Sequence, residues 1–353
     1  MIKIHDLSVS PATGAMKTGT LIYWKILQLI VWLIGIAIIA FLLFMPQVGV
    51  TLLWNILIPV APALLVVATG VWRNICPLAT TALLPDRFGF SMKKKLSNTQ
   101  RSFLNVMGVI ALLMIIPLRH VIFNRNGEST ALLLISVASI AFIRGLFYER
   151  KSGWCSGLCP IHPVERLYGS GVAFSLPNAH CNECVKCSVP CPDSTPNATV
   201  LTSKNVWSQK AVEYIVVGAF PGFVWGWFQI PDYRAAYGWN HLLFIYGTPL
   251  LAAIITLVIY AVVKQLLAHK QRKVLVNLFA AGAVSCYYWF RLPQLIGFRL
   301  HYTNSTLIDL SNSLPGWTPI ILNIFTTTFF IWWMVIRHKI KRSWTIRPAY
   351  ANK

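Results

Sequence analysis

Apolar runs of about 20 residues recur eight times along this chain, and no other feature limits its fold as tightly. A helix rises about 1.5 Å per residue, so each run is long enough to cross roughly 30 Å of hydrocarbon. The runs lie near 21–44, 50–72, 103–123, 130–148, 211–230, 240–263, 274–293 and 317–336. The first is too long for a signal-peptide core and carries no small-residue cleavage site, so it reads as a retained helix. A chain of 353 residues could form two or three soluble domains, but 56% hydrophobic residues against 12% charged ones argue otherwise. The expectation is an all-α integral membrane protein with about eight transmembrane helices. Three sections follow: four helices in 1–148, a long polar connection in 149–210, and four more helices with a basic tail in 211–353.

The formal net charge of +21 would suit a nucleic-acid binder, but its distribution excludes that class. Of the 31 Lys and Arg, 24 fall in segments 1–19, 73–102, 149–210, 264–273 and 337–353, which alternate with the spans. Arg125, Arg234 and Arg299 are the three in the opposite loops. Basic residues flank helices on one side, the positive-inside pattern, which places both termini in the cytoplasm and the protein in a cell inner membrane. Lys93-Lys94-Lys95 reads first as such an anchor and second as a docking face for an acidic carrier such as ferredoxin or flavodoxin.

The longest cytoplasmic segment carries Cys181-Asn-Glu-Cys184-Val-Lys-Cys187-Ser-Val-Pro-Cys191-Pro192. This is C-x2-C-x2-C-x3-C-P, the bacterial ferredoxin run that holds iron–sulfur clusters. Zinc and paired disulfides are the competing readings. Seven of the eight cysteines fall on the basic side, where a reducing compartment disfavours disulfides and thiolate-held metal persists. Cys286, inside the seventh span, reads as an inert buried thiol.

A repeat stands at the basic-side ends of the second and fourth runs. Thr69-Gly-Val-Trp72-Arg-Asn-Ile-Cys76-Pro77 superposes on Ser152-Gly-Trp-Cys155-Ser-Gly-Leu-Cys159-Pro160 at an offset of 83 residues. The second copy is C-x3-C-P, whereas the first has Trp72 where the leading cysteine would be. The register suggests two related halves within the first four helices.

With these motifs, the region from about 50 to 195 resembles the NapH/NosR-type membrane polyferredoxins, which are related to the RdxA/CcoG group. Those proteins carry two C-x3-C-P motifs at inner helix ends, followed by cytoplasmic ferredoxin cysteines. The resemblance implies membrane electron transfer to periplasmic reductases, or metal reduction and maturation of copper oxidases. This chain departs by having one ferredoxin run, by Trp72, and by lacking an outer loop long enough for a flavin-binding domain.

A C-x3-C-P motif looks like the tail of a ferredoxin run, whose last cysteine crosses to a partner cluster. Carried over, Cys181, Cys184 and Cys187 take Cys159, while Cys191 joins Cys155 and Cys76 in a second [4Fe-4S] site. That site would have an open corner, be a [3Fe-4S] cluster, or take Asp86, His162 or His180. The alternative is one cluster on Cys181, Cys184, Cys187 and Cys191 with structural C-P corners. His120 and His241, with Arg119, Arg291 and His301 towards the outer side, are candidate quinone or haem contacts or else interfacial groups. Arg144 would offset cluster charge. The expectation is an electron-transfer subunit between a cytoplasmic carrier and a quinone, haem or partner redox protein, surrounded by lipid. A metal-reducing maturation factor and a transporter with a structural or sensory cluster are the rivals.

Overall fold

The computed structural model describes residues 18–148, 153–169, 179–182, 207–233, 235–268, 271–298 and 306–337. Eight of its helices are long and apolar enough to cross a membrane, and no β-strand is present among the described residues. The chain is a multi-pass helical bundle. Its helices are α1 (Thr18–Phe44), α2 (Pro46–Val67), α3 (Thr69–Ile75), α4 (Pro77–Arg87), α5 (Asn98–Ile115), α6 (Gly127–Phe147), α7 (Ile161–Tyr168), α8 (Lys210–Phe228), α9 (Leu242–Leu266), α10 (Arg272–Leu295) and α11 (Thr318–Ile331). Of these, α3, α4 and α7 are too short to span; the spans begin and end within a few residues of the apolar runs.

Local chemistry explains the ends. Ser97 caps α5 with a reciprocal box, its hydroxyl accepting from the Gln100 amide while the Gln100 side chain accepts from the Ser97 N–H. Asn126 caps α6 through Ser129 N–H. Within α2 and α8 the backbone widens to π geometry over Leu52–Leu57 and Tyr214–Ala219. Prolines at 59, 62 and 221 follow closely, and a residue without an N–H breaks the regular ladder there.

Two spans form the centre of the bundle. Over half of α8 and of α10 is buried, 61% and 56%, whereas the other six spans are 17–28% buried and turn most of their surface outward. The main core joins Val66 of α2, Val106 and Val109 of α5, Leu167 and Tyr168 of α7, Val216 of α8 and Tyr288 of α10. Close backbone approach tightens α8 against α9: a Cβ at Gly222 would strike the Ala252 carbonyl, and one at Gly226 would meet Pro249.

The sequence repeat at offset 83 is also a structural one. It matches α1 with α5, α2 with α6, α3 with the π turn Trp154–Leu158, and α4 with α7. The cysteine before each proline adopts the same backbone conformation, φ −55° and ψ 119° at Cys76 against φ −64° and ψ 118° at Cys159. A following proline forces that extended geometry, which ends one helix and starts the next. Contacts between copies also correspond. In the first copy α3 lies on α1, where Gln28 Nε2 donates to the Asn74 carbonyl (2.9 Å). In the second the π turn lies on α5, so close that a Cβ at Gly108 would overlap the Leu158 carbonyl oxygen. Then α4 crosses to α6, with Ala82 against Gly145, and α7 crosses to α2, with Gly169 against Leu65 and Thr69. Each short helix thus packs on the long helix of the other copy. Because α1 and α5 start from the same end of the bundle, this exchange describes a pseudo-twofold axis running along it.

Candidate functional site: two Cys-Pro corners inside the bundle

The sequence places both corners at helix ends, but the structure puts them higher. Helix α4 leaves its corner and reaches the end of α6, where Met92 N–H donates to the Leu146 carbonyl (2.7 Å) and Lys94 N–H to that of Phe147 (3.0 Å). Its 11 residues rise about 16 Å, so Cys76 stands that far up the bundle. Its neighbours agree: Pro77 meets Gly35 in the interior of α1 (3.8 Å from a Cβ built there), and Trp32 Nε1 donates to Thr81 Oγ1 (3.1 Å). The second corner abuts Gly108, about 15 Å along α5 from Asn98. The short helices read as loop in the sequence because α4 ends in Asp86 and Arg87 and α7 carries His162, Glu165 and Arg166. In the fold they are half-helices that enter the bundle.

The two corners meet. Leu78 and Ala82 of α4 share one apolar cluster with Trp154, Cys155, Leu158 and Cys159, closed by Val137 and Ala141 of α6. Cys76 and Cys159 lie within charge-interaction range of each other. The Cys159 carbonyl accepts from His162 N–H (3.3 Å), in the first turn of α7. Proline at 160 has no N–H to lose and sits at the start of the helix, where its fixed φ suits the first turn. Burial pushes the Cys159 thiol up to about 12, and the neighbouring Cys76 adds to that.

A buried polar layer surrounds the corners. Arg73 faces Glu165 (3.7 Å), both nearly fully enclosed, and so joins α3 of one copy to α7 of the other. Gln28, which holds the Asn74 carbonyl, accepts from Arg87 Nη2 (3.1 Å). The Asn74 side chain reaches the cysteine-run segment, its Oδ1 accepting from Ala179 N–H (2.9 Å). The short turn Ala179–Asn182 therefore docks two residues before Cys76, and Cys181 lies in that turn. Cys184, Cys187 and Cys191 lie outside the described residues, as does His301. Among the described residues no group of three or more His, Cys, Asp or Glu is assembled to hold a metal. Arg144 donates to the Gly153 carbonyl (3.3 Å) and lies over the Tyr148 ring (4.3 Å), which fixes the turn leading to Cys155. Cys286 is buried within α10, away from both corners.

The opposite end of the bundle holds a separate polar group. His120, wholly enclosed, contacts Asp232 Oδ1 through Nδ1 (2.8 Å) and the Trp227 carbonyl through Nε2 (3.1 Å). Both ring nitrogens are engaged, which leaves neither for iron in this arrangement. His241 is exposed, bonded to the Tyr237 carbonyl (2.9 Å) and stacked on Tyr233 (4.8 Å). Tyr233 N–H in turn donates to the His120 carbonyl, so the two histidines flank one tyrosine. The Arg119 guanidinium sits over the Trp54 ring at 3.9 Å and the Trp227 ring at 4.8 Å. Arg291 donates to the Trp54 carbonyl and Asn55 Oδ1, each at 2.6 Å. Asp232, Asn55 and Glu213, the last held by Tyr260 and Lys264, are buried or partly buried polar residues that sequence reading passed over. Their signal was present only in part, because each partner is distant in sequence. Comparison of the chain with protein families, curated proteins and solved structures finds no match.

Proposed function

We propose that this is an inner-membrane iron–sulfur electron-transfer protein of the NapH/NosR type, with both termini and the cysteine run on the cytoplasmic side. Cys181, Cys184, Cys187 and Cys191, together with Cys76, Cys155 and Cys159 of the corners, are the ligands proposed for its [4Fe-4S] clusters. Such clusters supply one-electron redox chemistry, and the chain contributes position and electrostatics. The observation that carries this reading is the Asn74 contact, which brings the first turn of the ferredoxin run onto the Cys76 corner. Electrons would enter from an acidic carrier such as ferredoxin or flavodoxin at the exposed Lys93-Lys94-Lys95 segment, and leave towards a quinone or partner redox subunit. In this arrangement the engaged nitrogens of His120 serve neither a haem iron nor a quinone oxygen.

The deciding measurement is iron and acid-labile sulfide per chain after anaerobic purification, with electron paramagnetic resonance before and after dithionite. About four or about eight irons with a dithionite-dependent signal is the expected result. A clean sample without iron would overturn it. A second reading, transport, is favoured by one feature: paired half-helices whose amino ends meet inside a repeat are a recurrent transporter device. Uptake of a labelled substrate by vesicles carrying an iron-free protein would select that reading.

A further inference from the structure

The two cysteines that precede proline come from different copies of the repeat, yet Leu78 and Ala82 after the first share one apolar cluster with Cys159 and the turn before it. Each follows a short helical or π segment, each has the same extended backbone, and each starts a half-helix. Their half-helices cross to the opposite copies, which draws α4 and the π turn into one apolar cluster. Two equivalent groups beside a twofold axis are the natural ligands of one object seated on it, since any position equidistant from both copies serves both equally. The Arg73–Glu165 pair, which spans the two copies next to the corners, holds them in register. Asn74 delivers the turn containing Cys181 to the same place.

We propose that Cys76 and Cys159 are ligands of one shared metal centre, a thiolate-held iron–sulfur cluster bridging the two repeats inside the bundle, rather than members of two separate clusters. This rests on the iron–sulfur reading above and deepens it by assigning the corners to one centre. The chemistry of the pair suits it. Soft thiolate sulfur selects iron–sulfur clusters, zinc or copper(I) over hard cations.

The test compares the full-length protein with Cys76→Ser, Cys159→Ser and the double variant, all purified anaerobically. Iron, sulfide and the resonance signal are the readouts. A shared centre predicts that either single change removes the same signal and the same quota of about four irons, and that the double change removes no more. Different signals lost in the two single variants, with losses that sum in the double variant, would overturn the shared centre and leave the cluster reading standing. If the serine variants fail to fold, Cys76→Asp and Cys159→Asp keep a ligand at each position, and both must shift one common signal. Should the wild-type protein contain no iron, the cluster reading falls, and titration with cadmium decides the pair. One equivalent giving thiolate charge-transfer absorption, lost in both single variants, retains a shared site; absorption insensitive to either variant rejects it.

Discussion

Single residues carry much of the specification at both ends of this bundle. Asp232 stands out because it receives both His120 and the Asn124 amide, each at 2.8 Å. Asp232→Asn removes the carboxylate that His120 and Asn124 share, and losing hydrogen bonds to a charged group costs about 2 kcal/mol. Thermal unfolding in detergent should show a clear drop in midpoint; an unchanged midpoint would mean the pair is idle. Arg119 is anchored differently, by two indole faces. Arg119→Ala should cost about 1–2 kcal/mol, and Arg119→Leu, which keeps the apolar contact, should recover part of it. Tryptophan emission reports directly on the rings that lose the cation. Asp232 escaped sequence reasoning for a plain reason: its partner is 112 residues away, and nothing local marks an acidic loop residue as the mate of a buried histidine.

At the scale of elements, the long helices were legible and the half-helices were not. A run such as Leu21 to Phe44 has no alternative to a buried or membrane helix, because its length and its single charge, Lys25 near the start, decide the matter. The repeat was also visible, through Cys76-Pro77 and Cys159-Pro160 at a fixed offset. What sequence could not supply was direction. Whether α4 runs along the bundle surface or up into it depends on Gly145, and whether the π turn seats on α5 depends on Gly108, both remote positions. Their lack of a side chain is the requirement. Gly108→Leu or Gly145→Leu would force backbone apart at a corner, and a clash of this kind exceeds the usual 1–3 kcal/mol of overpacking. The expected outcome is loss of monodisperse protein on size exclusion, whereas Gly247→Ala, with open space around it, should behave as wild type. A well-behaved Gly108→Leu protein would refute the close seating of the second corner.

For the molecule as a whole, the charge pattern predicts an orientation, and the fold supplies the two ends between which it is tested. The segment with exposed Lys93, Lys94 and Lys95 and the loop around Asn126 lie at opposite ends of the bundle, separated by the length of α5 and α6. Single cysteines introduced as Lys95→Cys and Ser129→Cys should therefore react with a membrane-impermeant maleimide from opposite sides of oriented vesicles. Positive-inside orientation places Lys95 in the cytoplasm. Labelling of both from one side would contradict the bundle itself, and labelling in the reverse sense would invert the orientation. The central position of α8 and α10 gives the last four helices a role in holding the repeat together, since Tyr288 Oη donates to the Pro59 carbonyl and accepts from Ala63 N–H in α2.

The crossing of the half-helices has a consequence for the order in which this protein can be made. Helix α4 emerges from the ribosome long before the face it needs, because Gly145 follows Ala82 by about 60 residues, several seconds of synthesis at ordinary elongation rates. Helix α7 has no such wait, for α2 is already in place when it appears. The first corner therefore stays open until the second copy has entered the bilayer. The bundle's interior is closed by the later-made part of the chain, and any cargo seated between the corners arrives only after the fourth span has been laid down.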